Sequence, residues 1–186
     1  MALPGMRVSE APEASQSAPV PVRPVAGAVC GVAVAGTFAK FGLTGEAVVS
    51  AFLISVLVVL AVTDIEDREL PNVIVLPSFA AVLLANVALF PDKGLEWILA
   101  AIGTALLLLV PAVIRRGTIG MGDVKLGLLL GAGLGMDVVQ ALLIGLLAAW
   151  PLAGYMLLRD GRDATRLAVP LAPFLAIGAI AAVLLD

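Results

Sequence analysis

Residues 118–136 read T-I-G-M-G-D-V-K-L-G-L-L-L-G-A-G-L-G-M, and whether this stretch crosses a membrane decides the fold. Its purely apolar part, 126–136, is 11 residues long. That is too short for a hydrocarbon core that takes about 20 residues, with a range of about 17 to 25. Counting 118–125 as well gives 19 residues, or about 28 Å at 1.5 Å per residue. The polar interruption then belongs to the span, and Asp123 and Lys125 lie inside it or at its edge.

The composition supports that reading. The chain is 61% hydrophobic and 13% charged, with a mean hydropathy of +1.12, whereas soluble domains carry about 25% charged residues. A soluble globular class is excluded. Apolar segments at 25–43, 47–63, 73–90, 97–114, 118–136, 138–158 and 167–185 predict an all-α polytopic transmembrane helix bundle of about seven spans. Residues 1–24 are rich in Pro, Ser, Ala and Glu and lack apolar periodicity, which predicts a disordered tail ahead of a membrane-embedded domain over 25–186. The apolar run starts too late for this tail to be a signal peptide. With one cysteine, Cys30, and no histidine, neither a disulfide framework nor a zinc ribbon is expected. No metal, cofactor or nucleic-acid partner is expected, and the lipid bilayer is the surrounding medium.

Basic residues set the orientation. With the N-terminus in the cytoplasm, the inner segments hold Arg7, Arg23, Arg68, Arg115, Arg116, Lys125, Arg159, Arg162 and Arg166, against Lys40 and Lys93 outside. Nine against two is a clear positive-inside bias.

This topology brings two acidic stretches to one side of the membrane. The second span ends in T-D-I-E-D-R-E-L-P-N, residues 63–72, and the fifth begins with G-M-G-D, residues 120–123. Asp64 and Asp123 therefore arrive at the same depth, where an ionisable group is costly and marks a functional site. Two neighbouring carboxylates share a proton, so that one acts as acid and the other as base on a water between them. Such a pair can hydrolyse a peptide bond. Asp67 is the main rival for Asp64 but lies about one helical turn beyond the apolar run. Asp137 falls on the outer side and is left out of the site.

Together, D-I-E-D-R-E-L-P-N, G-M-G-D-V-K-L and the later V-P-L-A-P-F-L-A-I-G-A, residues 169–179, resemble the type IV prepilin peptidase family of GxGD membrane aspartyl proteases. The resemblance implies a six-helix peptidase core, here with one extra N-terminal span, and catalytic aspartates at Asp64 and Asp123. Gly120 and Gly122 complete the GxGD motif, and Leu70, Pro71 and Asn72 complete the first motif. It further implies substrates of the prepilin or pseudopilin class, cut where a short basic leader meets an apolar helix, at the cytoplasmic face of a prokaryotic inner membrane. Larger members carry paired Cys-x-x-Cys motifs and methylate the new N-terminus. This sequence has neither those cysteines nor that domain, so the short form without methyl transfer is expected.

Other residues have structural readings. Gly120 and Gly122 free the backbone ahead of Asp123, while Gly127, Gly131, Gly133 and Gly135 serve close helix packing. Lys125 reads first as an interfacial anchor, with pairing to Glu66 or Asp67, or tuning of the aspartates, as alternatives. Pro170 and Pro173 read as kinks in the last span, and the resemblance places Pro173 near the site. Pro71 and Asn72 mark the turn into the third span.

Two alternatives remain open at this stage. An intramembrane protease of the presenilin or signal-peptide-peptidase kind carries Tyr before its first aspartate, where this chain has Thr63. A transporter or assembly subunit with intramembrane carboxylates predicts inverted repeats, and no convincing repeat is visible.

Overall fold

The computed structural model describes residues 22–68, 70–114, 120–160 and 171–185 of the 186-residue chain. Among these residues the chain is all helical. Seven α-helices follow in order: α1 Val22–Phe41, α2 Gly45–Asp67, α3 Asn72–Leu89, α4 Gly94–Ile114, α5 Met121–Leu134, α6 Val138–Asp160 and α7 Ala172–Leu185. Short 3-10 turns, Pro91–Lys93 and Gly135–Asp137, precede α4 and α6. Five stretches are long and apolar enough to cross a membrane: Val22–Phe41, Gly45–Asp67, Asn72–Leu89, Pro91–Ile114 and Met121–Leu152. The last joins α5 to most of α6 through the 3-10 turn, and α7 is apolar but shorter.

Each helix corresponds to one predicted apolar segment, and the differences at the ends have local causes. Helix α1 starts at Val22, three residues earlier than expected, because Pro24 is tolerated in a first turn, where N–H groups lack partners anyway. The rest of the expected tail lies outside the described residues. Helix α2 runs past Thr63 to Asp67, where Arg68 adopts the left-handed conformation (φ 55°) and gives its N–H to the Asp64 carbonyl at 3.1 Å. At its other end, Thr44 caps α2 by accepting the Ala47 N–H at 3.2 Å.

The largest correction falls on the fifth segment. Its helix begins only at Met121, after an extended Gly120, and ends at Gly135, whose φ of 58° suits glycine. It therefore has 14 residues instead of the expected 19, about 21 Å of helix. Thr118 and Ile119 lie outside the described residues. Helix α7 likewise begins at Ala172 and has 14 residues. Pro173 is its second residue, so it opens the helix and does not kink it. Pro170 lies outside the described residues.

The core is built on α2 and α5. Leu53, Ile54, Leu57 and Leu60 of α2, at helical spacing, meet Leu126, Leu129 and Leu130 of α5 with almost no exposure. Helix α2 is flanked by α1, α3 and α7; α5 pairs closely with α4 and also lies on α3; α6 lies along α7. Glycines set the closest approaches. Gly131 lies on the Ala100 backbone, Gly133 against Leu53, Gly145 against the Phe174 carbonyl and Gly178 against the Ala141 carbonyl, so that no Cβ fits without a shift. The last two contacts make α6 and α7 antiparallel, and α6 runs on to Asp160, well past the start of α7.

Candidate active site

Helix directions bring the two acids together. Gly133 of α5 faces Leu53 of α2 in the lower bundle. Ten residues back along α5 and eleven on along α2 lead to Asp123 and Asp64. Nearly equal rises on antiparallel helices thus carry both side chains to one end. There they line a single cleft of about 310 Å³ with Arg68, Leu70, Asn72, Gly120, Gly122 and Lys125. A water occupies roughly 30 Å³, so the cleft has room for several waters.

Both carboxylates are buried, Asp64 at 7% and Asp123 at 9% exposure. Buried carboxylates need hydrogen-bond donors, and backbone groups supply them. Asp64 Oδ2 accepts the N–H of Ala172 at 3.1 Å, one of the donors that a helix start leaves without an intrahelical partner. Asp123, in the first turn of α5, accepts the Gly120 N–H on its own Oδ2 at 3.3 Å, the carboxylate half of a capping box.

The supporting residues divide. Leu70 packs at Gly122, where an added Cβ would lie 2.9 Å from the Leu70 Cβ. Pro71 immediately precedes α3 and Asn72 opens it, as the turn reading expected. Lys125 donates from Nζ to Asn72 Oδ1 at 2.7 Å, a partner that none of the readings of Lys125 anticipated. Glu66 is engaged by Arg23, whose Nε and Nη2 each lie 3.0 Å from a Glu66 oxygen. Pro173 does not line the cleft; it faces an apolar hollow on the far side of α2 and α7. Asp137 lines a separate small cavity with Glu46, Ser50 and Asn86 at the opposite end of the bundle.

The sequence reading missed Ala172 and Arg68. Ala172 carries no side-chain chemistry, and its role lies in an unpaired N–H at a helix start. The Pro173 that follows it is the available signal, because proline favours a first turn. Among the described residues no cluster of three or more Asp, Glu, His or Cys suits a metal ion.

The fold and the cleft define a multi-pass helical membrane protein with two acids converging from separate helices. The chain belongs to the type IV leader peptidase family, whose model matches residues 51–159 and so takes in both aspartates. It is 34% identical over 148 residues to the prepilin leader peptidase/N-methyltransferase of Bacillus subtilis (strain 168), covering 78% of this chain and 58% of that relative. The chain thus spans less than two thirds of the length of that relative. No solved structure matches the chain.

Proposed function

We propose that this chain is an aspartic endopeptidase that removes the short basic leader from precursors of the prepilin or pseudopilin class. The observation that carries the reading is the convergence of Asp64 and Asp123, buried on antiparallel helices, on one cleft within a chain of the type IV leader peptidase family. One carboxylate, ionised, takes a proton from a water held between the two. The hydroxide attacks the scissile carbonyl carbon while the other carboxyl protonates the carbonyl oxygen. Collapse of the tetrahedral intermediate returns a proton to the leaving amine, and the pair regains its starting state. General acid and general base action of this kind each contribute roughly 10² to 10⁴-fold. The shared proton is a property of the pair.

The functional unit is the membrane-embedded domain, whose first described helix begins at Val22. Its cleft faces the cytoplasm of a prokaryotic inner membrane, a reading supported by the basic residues. Arg23, Arg68 and Lys125 gather at the cleft end with the last turn of α6, which carries Arg159, and Lys40 and Lys93 sit at the other end. We assign the chain the proteolytic step.

Co-expression with a prepilin precursor tests the assignment. Asp64→Asn and Asp123→Asn each abolish processing while the protein still accumulates in the membrane, and Asp67→Asn retains it. Normal processing by Asp123→Asn would falsify the reading.

A further inference from the structure

Arg68 stands apart at the candidate site. It follows the last residue of α2 and adopts the left-handed conformation, with φ 55° and ψ 29°, and no other non-glycine residue has a positive φ among the described residues. That conformation costs a residue with a Cβ free energy that glycine is spared, and glycine is what the position after a helix commonly holds. The backbone does not account for the arginine: its N–H donates to the Asp64 carbonyl at 3.1 Å, and a glycine N–H would do the same. The reason for the residue lies in its side chain.

That side chain lines the cleft beside Asp64 and Asp123, and its guanidinium makes no hydrogen bond or ion pair among the described residues. The other charges around the pair are placed differently. Lys125 is fixed on Asn72 Oδ1 at 2.7 Å. Arg23 and Glu66 offset each other at 3.0 Å, and Asp67 ends α2 as an exposed residue. Helices α3 and α7 carry no charged residue, and α5 carries only Asp123 and Lys125. Arg68 is therefore the one cation lining the cleft without a fixed partner among the described residues.

The pair needs a counter-charge. Two carboxylates that share one proton still carry one negative charge, and Asp64 and Asp123 are both buried. The N–H groups of Ala172 and Gly120 supply hydrogen bonds without net charge. A buried anion that lacks an opposite charge takes up a proton instead, and a second proton on the pair leaves no base for the water. We propose that Arg68 is a positioning residue: it acts as counter-ion of the Asp64–Asp123 pair, holding it at one shared proton, and its strained backbone is kept because it turns the guanidinium into the cleft. The inference deepens the peptidase reading above and rests on it. Arginine suits the role because its charge survives at every pH the protein meets. The guanidinium is exposed, so solvent screens it and the effect is moderate.

The test uses the full chain in membranes and dicyclohexylcarbodiimide, which couples to protonated carboxyl groups and spares carboxylates. In Asp64→Asn and Asp123→Asn backgrounds, each with a single acid left, the rate of labelling at mildly alkaline pH follows the protonated fraction of that acid. Adding Arg68→Met raises it at least about threefold, whereas Arg23→Met, which removes the same charge outside the cleft, leaves it unchanged. With both acids in place and a prepilin precursor, Arg68→Gly lowers kcat roughly three- to tenfold with little change in KM. It melts no lower than the unsubstituted protein, so the loss is not a folding defect. Arg68→Lys keeps most of the activity, and guanidinium chloride far below denaturing concentration restores part of it to Arg68→Gly. Unchanged labelling with Arg68→Met, or unchanged cleavage by Arg68→Gly, overturns the proposal. A lower melting temperature of Arg68→Gly with unchanged labelling also overturns it, in favour of a cation that serves only the negative end of α2. Labelling is read without cleavage, so it decides the counter-ion independently; failure of the unsubstituted protein to cut any precursor overturns the peptidase reading instead.

Discussion

The backbone N–H of Ala172 donates to Asp64 Oδ2 across 3.1 Å, tying the start of α7 to the last turn of α2. The bond fixes one oxygen of a buried acid and points the positive end of a helix at it. Replacing Ala172 with Pro removes the donor while keeping a residue that suits the first helical position. A hydrogen bond to a charged group is worth roughly 1.5–3 kcal/mol, so Ala172→Pro lowers kcat by about ten- to a hundredfold. Processing assays at matched membrane levels check this, and an unchanged rate shows that α7 does not orient Asp64.

The two glycines of G-M-G-D are not equivalent. A Cβ at Gly120 meets Asp123 Oδ2 at an ordinary 3.6 Å, whereas one at Gly122 lies 2.9 Å from the Leu70 Cβ. Gly120→Ala therefore keeps activity within about twofold, and Gly122→Ala loses at least about tenfold as α5 is pushed off the chain before α3. Adding Leu70→Gly to Gly122→Ala restores much of the loss. Equal damage from both single alanines would point to a need for backbone freedom at both positions.

Much of this site is legible in the sequence, for a physical reason. Apolar segments of spanning length fix which ends of the helices share a side, and two acids at matching depth follow from that alternation. Asp64 and Asp123 are read that way, whereas the Leu70-Pro71-Asn72 turn is read from its proline and asparagine and from the family resemblance. What stayed hidden depends on contacts between distant residues. Nothing local links Lys125 to Asn72 or Arg23 to Glu66, and Ala172 acts through its backbone. The length of α5 was overread because Gly120 and Gly135, which end the helix, sit among other glycines that do not.

The Lys125–Asn72 contact, 2.7 Å long, joins the starts of α5 and α3 at the rim of the cleft. A double-mutant cycle with Lys125→Met and Asn72→Ala gives a coupling of about 1 kcal/mol in stability. Each single variant keeps measurable processing, since neither residue is assigned a proton transfer. A coupling near zero in thermal melts shows that Lys125 is anchored by the interface alone.

Gly131 sets the distance between α4 and α5, since a Cβ there would collide with the Ala100 backbone. Gly131→Ala destabilises the protein by about 1–3 kcal/mol or more as the pair is wedged apart. Gly103 of α4 has nothing within 4 Å of its would-be Cβ, so Gly103→Ala is neutral or stabilises by up to about 1 kcal/mol. Melting temperatures in one detergent, compared side by side, decide the matter, and a similar fall for both variants removes the packing explanation.

Helices α5 and α7 have 14 residues each, and both begin at the cleft. Each is about 21 Å long against a hydrocarbon thickness of about 30 Å. Such hydrophobic mismatch is met by local thinning of the bilayer around the short helices or by water reaching down to their recessed ends. Where these two helices span the bilayer, their recessed starts bring Asp123 and the Asp64–Ala172 contact below the plane of the surrounding headgroups. On the peptidase reading proposed above, the depth at which a membrane holds a substrate junction helps to select which polypeptides are cut, and lipid chain length becomes a determinant of specificity.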